Sequence, residues 1–440
     1  YRGKTVRLPP SLGSLSPMVS GRKSPQGRAP FSSTAIFTWV SKPKSLVKQT
    51  SILRRMPKTR RDFQRRSSWK FNRSIDNGSR GEVQLFRTLR GYMGGILEGI
   101  RIVDISRILA GPYATQMLAD LGAEVIKIEA PWGDDTRHWG PPFTTGFDGK
   151  QVAAYFLSCN RGKEIRTFDL KREATAVQEL IKTADVVVEN FRPGTLERLL
   201  GPIPENVILC SISAYGATGP RRDEPGYDVA LQARSGIMGI TGEAGGAPVK
   251  VGVAWIDVIT GLNAGNAILA ALFHKQKTGE CMRIDLSLWD SAVAALVNQA
   301  HNAIASGDNP TPMGSGHPNL VPYRAFEAKD GWFVIGVGSD NQWHNLVKAL
   351  EIENRDTWST NEGRVRDRKE LEAVVSNAIA QFNRTELEKK LSGIPCAPVN
   401  TVLEALSDPQ SVARKAITQH KGVDVLASPL RFMKPSKREE

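Results

Sequence analysis

The sequence predicts an α/β fold: a doubly wound, Rossmann-like parallel sheet with a smaller α+β domain after it. The first observation is a β-branched run at residues 100–105, which is typical of a buried strand. A helix-like segment follows, and a second short apolar run lies at 125–128. A β-α-β unit with such short loops requires parallel strands and a right-handed crossover. The same alternation recurs along the chain, which predicts one sheet with helices on both faces.

The helices and strands follow from local patterns. The first helix is predicted from Gly111 to Leu121, because Pro112 suits the first helical position and Gly122 stops the helix. Later elements alternate in the same way. Helices are predicted at Ala174–Thr183, Gly194–Leu200, Thr260–Gln276 and Leu288–Ala305. Strands are predicted between them at Asp185–Glu189, Val207–Ser211 and Met282–Leu286.

A smaller unit is predicted in the last third of the chain. Residues 306–322 are rich in Gly, Pro, Asn and Ser, which favours a linker with a functional loop. Strands are predicted beyond it at Trp332–Val337 and Ala397–Asn400, and helices at Asn341–Glu351, Asp367–Phe382 and Thr385–Leu391. The predicted organisation is a disordered basic extension at 1–95, a large Rossmann-like domain at 96–305, a linker and small domain at 306–395, and a return to the large domain at 396–440.

The excess positive charge lies in the N-terminal segment. The chain has 59 Lys and Arg and 45 Asp and Glu; residues 1–95 hold 21 and 3 of them, and the remainder holds 38 and 42. The body is therefore nearly neutral, which argues against a nucleic-acid partner. The Arg- and Ser-rich, acid-poor segment is typical of a mitochondrial presequence. A gene-model artefact and, less favoured, a nucleic-acid-binding arm are the alternatives.

Cysteine and histidine spacing argues against a metal. Cys159, Cys210, Cys281 and Cys396 lie far apart, and the six histidines form no ligand cluster, so we expect reduced thiols and no metal site. By inspection of the sequence, the continuous apolar runs are shorter than the roughly 18–20 residues needed to span a bilayer, so we expect no membrane partner.

The stretch from Pro225 to Gly261 carries the candidate chemistry. Two carboxylates, Asp228 and Asp257, suit general-base or nucleophile roles. A strand-like run at Val249–Trp255 predicts that Asp257 lies between a strand and the N-terminus of a long apolar helix. Backbone N–H groups at that helix start would point towards the same ligand.

Polar residues also follow the predicted strands. Arg107, Asn190 and Ser213 lie where strands end, and ligands of doubly wound sheets bind beyond the carboxyl ends of strands. Cations and amides there suit a phosphorylated, nucleotide-like ligand. The residues alone leave its identity open.

Several short motifs occur in register along the chain. They are Asp104 with Ala110-Gly111-Pro112, Leu121-Gly122-Ala123, Val125–Glu129, Glu189–Gly194, Gly219-Pro220, Gly226-Tyr227-Asp228 and Lys277-Thr278-Gly279. From about Leu97 to about Arg431, the chain resembles the family III CoA-transferases of the CaiB/BaiF type. Gly133–Arg137, Trp139–Phe143, Val321–Tyr323 and Ala325-Phe326 look most like the mitochondrial succinyl-CoA:glutarate (hydroxymethylglutarate) CoA-transferases within that family.

The resemblance implies that Asp257 is the catalytic nucleophile. It would attack a donor thioester, form a mixed anhydride and then an aspartyl-CoA thioester, and pass CoA to an acceptor acid. A carboxyl with an ordinary pKa of about 3.9 is ionised at neutral pH and needs no base. The family's glycine loop falls on Gly314, Ser315 and Gly316, whose N–H groups would stabilise the oxyanions. A helix N-cap is the alternative role for Asp257.

The superfamily also contains α-methylacyl-CoA racemases, which use a histidine at the position of Tyr227. A tyrosine with an ordinary pKa of about 10 is a poor partner for that proton transfer, so Tyr227 argues against racemisation. It is otherwise a half-buried aromatic residue with a hydrogen-bonded hydroxyl. Asp228 either orients the acyl group or caps the helix that follows it.

The family's CoA site maps onto two turns of the predicted sheet. Carried over, the binding residues are Arg107, Ala110, Leu170, Lys171, Asn190, Phe191 and Arg198. Arg137 is the candidate partner for the distal carboxylate of a dicarboxylic acyl group. Coenzyme A is expected as a co-substrate, with small carboxylic acids as the other partners and no permanently bound cofactor.

The resemblance also implies an interlocked homodimer with each chain threaded through its partner. Compared with the family's C-terminal segment, we expect the chain to end early at Glu440. A mitochondrial location is expected, with the cytoplasm as the alternative. A CoA-binding protein without activity is the hypothesis from a different functional class.

Overall fold

Six parallel strands form the central sheet of the protein. The computed structural model describes residues 95–433, so the predicted extension lies outside the described residues except for its last residue. The strand order is β5-β2-β1-β6-β7-β8, with every neighbouring pair parallel. In chain order the first eight strands are β1 (Arg101–Asp104), β2 (Glu124–Glu129), β3 (Phe143–Thr145), β4 (Gln151–Ala153), β5 (Glu164–Thr167), β6 (Val186–Glu189), β7 (Ile208–Ser213) and β8 (Arg283–Ser287).

Helices cover both faces of this sheet, which confirms the doubly wound α/β prediction. Successive strand residues point to opposite faces, and Ile102 and Val103 of β1 accordingly belong to different hydrophobic clusters. The helices up to residue 306 are α1 (Ala110–Asp120), α2 (Ala154–Leu157), α3 (Ala174–Lys182), α4 (Thr195–Leu200), α5 (Asp228–Arg234), α6 (Ile237–Ile240), α7 (Trp255–Thr278), α8 (Leu288–Ala294) and α9 (Val297–Ser306). Helices α1 and α7 pack on one face, and α3 and α4 on the other.

A second, antiparallel sheet has its own core. Its strand order is β11-β10-β9, and its hydrophobic cluster runs from Val321 to Ile394. The remaining elements are β9 (Tyr323–Ala328), β10 (Gly331–Gly336), α10 (Asp340–Leu350), α11 (Asn361–Arg366), α12 (Arg368–Ile379), α13 (Arg384–Lys390), β11 (Cys396–Pro398), α14 (Val402–Ser407), α15 (Pro409–Ala413), β12 (Ile417–His420) and β13 (Val423–Leu426).

Three sequence predictions differ from this structure. No strand forms at Val249–Trp255, because Val251 donates its N–H to the Gln232 side chain rather than to a neighbouring strand. The helix predicted from Leu288 to Ala305 is two helices, since Val297 has a φ of +42°. The strand near residue 397 is also not the last one, because the β12–β13 hairpin follows it.

Helix α7 carries the site and also corrects the expectation about membranes. It has 24 residues and is long and apolar enough, by length and composition alone, to cross a bilayer. Its side chains Ile256, Ala264 and Ile268 are fully buried in the core beneath the sheet. Burial against the sheet accounts for one face of the helix, whereas Leu262, Leu269 and Phe273 are exposed.

Candidate active site

The carboxyl ends of β1, β6 and β7 meet at one edge of the central sheet. Arg107 lies just after β1, Asn190 directly follows β6, and Ser213 ends β7, as the sequence predicts. Two cavities of about 490 and 470 Å³ open there. Arg107 and Phe191 line both, so the cavities adjoin.

The larger cavity, hereafter the Asp257 cavity, brings together most of the predicted site residues. Those that line it are Arg107, Ala110, Asn190, Phe191, Arg198, Tyr227 and Asp257. Leu170 and Lys171 line the second cavity instead. The fold therefore collects side chains from segments that lie far apart along the chain.

Asp257 lies in the first turn of α7, not between a strand and a helix as the sequence predicts. Gly261, one turn later, faces the start of α1: a Cβ at this glycine would lie 2.8 Å from the carbonyl oxygen of Ala110 and 3.1 Å from the Tyr113 ring. Only a residue without a side chain allows this approach. The close packing holds the first turn of α7, and with it Asp257, beside the N-terminus of α1.

The electrostatic environment of Asp257 differs from the sequence expectation. Its half-buried carboxylate makes no ion pair or side-chain hydrogen bond with residues 95–433. Burial first, and the charge of Asp228 second, raise the pKa of Asp257 to about 7. The group therefore holds its proton to a higher pH than an aspartate with the ordinary pKa of about 3.9. Raised pKa values of this kind concentrate at functional sites.

Asp228 has both carboxylate oxygens occupied. One oxygen accepts the backbone N–H of Ile256 at 2.7 Å, and the other accepts the Gln232 amide at 2.6 Å. The geometry is that of a cap on α7, whereas the two roles considered from the sequence are orienting the acyl group and capping the helix that directly follows Asp228. Asp228 thus fixes the start of the helix that carries Asp257.

Tyr227 lies at the mouth of the Asp257 cavity. The residue is 62% exposed, more than the half-buried state expected from the sequence. A second tyrosine, Tyr155, was not anticipated. Burial first and the charge of Asp257 second raise the pKa of Tyr155 to about 12. Its ring meets Trp139 edge to face, with centroids 5.4 Å apart. No sequence signal identified Tyr155, because the short helix α2 that carries it was not predicted.

The polar atoms of Asn190 are committed to the backbone. Its side-chain oxygen accepts the Arg107 N–H at 3.0 Å, and its amide donates to the Arg107 carbonyl at 2.7 Å. The Arg107 side chain forms a solvent-exposed ion pair with Asp135 at 3.2 Å, which is a weak interaction in water. The Arg107 guanidinium can therefore exchange this partner for a ligand phosphate.

The glycine loop does not line the Asp257 cavity. Gly314 donates its N–H to the Gly242 carbonyl at 2.8 Å, and Gly316 donates to Met313 at 2.9 Å. The Ser315 hydroxyl accepts the Ala325 N–H at 2.9 Å. A role for this loop as an oxyanion donor stays a prediction, since its backbone is engaged elsewhere.

Arg137 also does not line the Asp257 cavity. It forms a two-pronged ion pair with Glu129, with distances of 2.7 and 3.1 Å, and its guanidinium stacks 3.9 Å from the Phe156 ring centroid. A charge paired in this way is already neutralised. Its predicted contact with a substrate carboxylate stays untested. Among residues 95–433, no cluster of three or more His, Cys, Asp or Glu side chains is arranged to hold a metal ion.

Comparisons with known proteins agree on one family. The family model described as CoA-transferase family III matches residues 97–438. The chain is 41% identical over 336 residues to "Succinate--glutarate CoA-transferase" of Agrobacterium fabrum, covering 72% of this chain and 83% of that protein. It is 41% identical over 331 residues to human "Succinyl-CoA:glutarate CoA-transferase", covering 71% of this chain and 74% of that protein.

A solved structure shows the same fold. The crystal structure of a CAIB/BAIF family protein from Brucella suis superposes with a TM-score of 0.70 at 41% identity, over 77% of this chain and 93% of that one. The chain therefore belongs to CoA-transferase family III, whose members take CoA thioesters as co-substrates and hold no permanent cofactor.

Proposed function

We propose that the protein moves CoA from succinyl-CoA to a glutarate-like dicarboxylic acid, with Asp257 as the covalent nucleophile. The observation that carries this proposal is the environment of Asp257. Its carboxylate lines a cavity large enough for a ligand, is free of cationic partners within the described chain, and has a pKa raised to about 7. The human relative is named for succinyl-CoA and glutarate, and the Agrobacterium relative for succinate and glutarate, which supports the choice of substrates.

The chemistry is an exchange of acyl groups without any redox change. An Asp257 oxygen attacks the thioester carbonyl, and the C–S bond breaks. CoA departs as the thiolate, and a mixed anhydride remains on Asp257. The thiolate then attacks the aspartyl carbonyl and releases succinate, which leaves an aspartyl-CoA thioester. The acceptor carboxylate attacks that thioester, the C–S bond breaks, and CoA thiolate is released from a second mixed anhydride between the acceptor and Asp257. The thiolate finally attacks the acceptor carbonyl of this anhydride, which forms the new acyl-CoA and frees the Asp257 carboxylate. Each step exchanges bonds of similar energy, which is the advantage of a covalent route.

CoA is proposed to extend across both cavities. Arg107 and Arg198 carry positive charge at the Asp257 cavity, and Lys171 does so at the second cavity. These cations suit the phosphates, and Leu170 with Phe191 offers apolar surface for the adenine. The thioester would then lie at Asp257. The Gly314–Gly316 loop would donate to the oxyanion only after leaving its contact with Gly242.

Three further features belong to the same proposal. The active unit is an interlocked homodimer, the location is mitochondrial, and Arg137 receives the distal carboxylate of the acyl group. For Arg137, alanine should raise KM for dicarboxylates selectively. An equal effect on monocarboxylates would remove that role.

Trapping the covalent intermediate tests the mechanism. The protein is incubated with succinyl-CoA and then with hydroxylamine or borohydride, and the peptide that holds Asp257 is analysed by mass spectrometry. We expect a hydroxamate or a reduced side chain at Asp257, which Asp257→Ala should lack. Asp308→Asn, at an exposed carboxylate, should retain the adduct. Transfer of CoA by a protein that never carries an adduct would contradict the mechanism.

The alternatives have their own readouts. A racemase would incorporate deuterium from solvent at the α-carbon of the acyl group, and a protein that only binds CoA would show affinity without transfer. A panel of dicarboxylic and monocarboxylic acceptors identifies the substrate. We expect glutarate-like acids to give the highest kcat/KM.

A further inference from the structure

The turn between β1 and α1 has an unusual backbone. Its residues Ser106, Arg107 and Ile108 line the two adjoining cavities. Ile108 has a φ of +71°. A β-branched residue rarely adopts this left-handed conformation, because its side chain crowds the backbone. The surrounding structure must therefore impose it.

Side chains from elsewhere in the fold hold the backbone of this turn. The Ser106 carbonyl accepts Lys127 Nζ at 2.8 Å. The Ile108 N–H points at the Asp134 carboxylate, 3.3 and 3.4 Å from its two oxygens. With both polar backbone atoms of Arg107 bonded to Asn190, the turn has little freedom to change shape.

Asp134 is itself fixed by burial and pairing. Its carboxylate and Lys127 Nζ are 3.0 Å apart, and both side chains are only 1% exposed. The hydroxyl and N–H of Thr136 donate to the same carboxylate at 2.7 and 3.0 Å. Asp134 belongs to the Gly133–Arg137 motif. The proposed chemistry gives this aspartate no role. A buried ion pair is weak evidence for stability by itself, because desolvation offsets its attraction.

We propose that Asp134, supported by Lys127, is a positioning residue for CoA transfer: it keeps Ile108 in its left-handed conformation, so that residues 108–110 hold their place beside Asp257. This inference rests on the proposed function of Asp257. The contact of Gly261 with the Ala110 carbonyl shows how closely the start of α1 approaches the Asp257 helix. A shift of the turn would therefore move one wall of the cavity relative to the nucleophile.

The test uses the backbone preference of glycine. Asp134→Ala removes the acceptor for the Ile108 N–H, and we expect kcat to fall about a hundredfold, as for a misplacement of about 1 Å. KM for succinyl-CoA should change much less. Adding Ile108→Gly should restore a large part of kcat, because glycine adopts positive φ without steric cost. A purely structural role would give no such rescue.

Two further variants guard against misfolding. Lys127→Met combined with Asp134→Ala removes both buried charges, so that neither is left unpaired. The Ile108→Gly rescue should appear in this background as well. Leu346→Ala, in the core of the second sheet, should lower stability while leaving kcat per folded molecule unchanged.

Crystal structures of the variants separate this inference from the proposed function. We expect residue 108 to leave the positive φ region when Asp134 is replaced. An unchanged φ together with wild-type kcat would overturn the inference alone. A wild-type protein that transfers no CoA to any acceptor would overturn the proposed function, and with it the role in transfer claimed for Asp134.

Discussion

Asp257 and Asp104 are two aspartates near the same edge of the central sheet, in opposite environments. Asp104, at the end of β1, is completely buried and bonded to Lys163 Nζ at 3.0 Å and to the Thr115 hydroxyl at 2.6 Å. Burial alone would raise its pKa, but the charges of Lys163 and Lys127 and hydrogen bonds from Ser106 and Thr115 outweigh burial and lower the pKa to about 2. No cation offsets burial at Asp257, whose pKa is about 7.

The difference shows that burial and pairing together decide the role of a carboxylate. A paired carboxylate has its charge and lone pairs occupied, so it fixes the structure around it. An unpaired carboxylate keeps its oxygens available and its pKa near neutrality, which suits a nucleophile. The two aspartates should therefore respond in opposite ways to substitution and to pH.

The largest expected effect is on activity. Asp257→Asn should lower CoA transfer by about 10⁴-fold or more, since it removes the group that forms the covalent bond. Its free energy of unfolding at pH 8 should be equal to or higher than that of the wild type, because an unpaired charge has been removed. Steady-state kinetics and urea unfolding measure the two quantities. Residual activity above a tenth of the wild-type value would contradict the role of Asp257 as the nucleophile.

The next largest effect is on stability. Lys163→Met removes the buried cation that pairs with Asp104 at 3.0 Å, and the free energy of unfolding should fall by about 3–5 kcal/mol. Adding Asp104→Asn should recover part of this loss. The matched control is Lys182→Met, which breaks an exposed pair with Glu179 and should cost less than about 1 kcal/mol. Equal losses in the buried and the exposed variants would contradict the structural role.

The third prediction concerns pH. The folded pKa of Asp257 is above its unfolded value of about 3.9, so its ionisation reduces stability as pH rises from about 4 to about 7. The folded pKa of Asp104 is below that value, so its contribution to stability is present above about pH 4 and is lost as pH falls towards about 2. Unfolding at several pH values should show that Asp257→Asn and Asp104→Asn alter different pH windows. For activity, kcat/KM for succinyl-CoA should rise with pH through about 7.

The smallest expected effect is a shift in the pH profile, which tests the contribution of Asp228 to the raised pKa of Asp257. Asp228→Asn removes the neighbouring charge, which is the second cause of the raised Asp257 pKa after burial. The midpoint of the kcat/KM profile should therefore move to lower pH. Asn keeps an oxygen for the Ile256 N–H, so the helix cap is retained. Asp223→Asn, at an exposed carboxylate that lies outside the Asp257 cavity, should leave the midpoint unchanged.

The sequence by itself determined most of the central sheet, although not its edge strand β5, and the motifs of the site. The runs that form β1, β2, β6 and β7 are short, β-branched and buried on both faces, so their pattern reflects their own environment. The positions of Arg107 and Asn190 at strand ends follow directly from that pattern. The resemblance of the motifs to the family likewise identifies Asp257 from the sequence.

Only the tertiary structure decided how these residues act. The cap on α7 joins Asp228 to Ile256. The hydrogen bond that holds the turn after β1 joins Asn190 to Arg107, 83 residues apart. The start of α7, the pKa of Asp257 and the left-handed Ile108 all depend on such distant partners. Local periodicity reports the burial of a segment, whereas hydrogen bonds and charges depend on which groups the folded chain brings within a few ångströms.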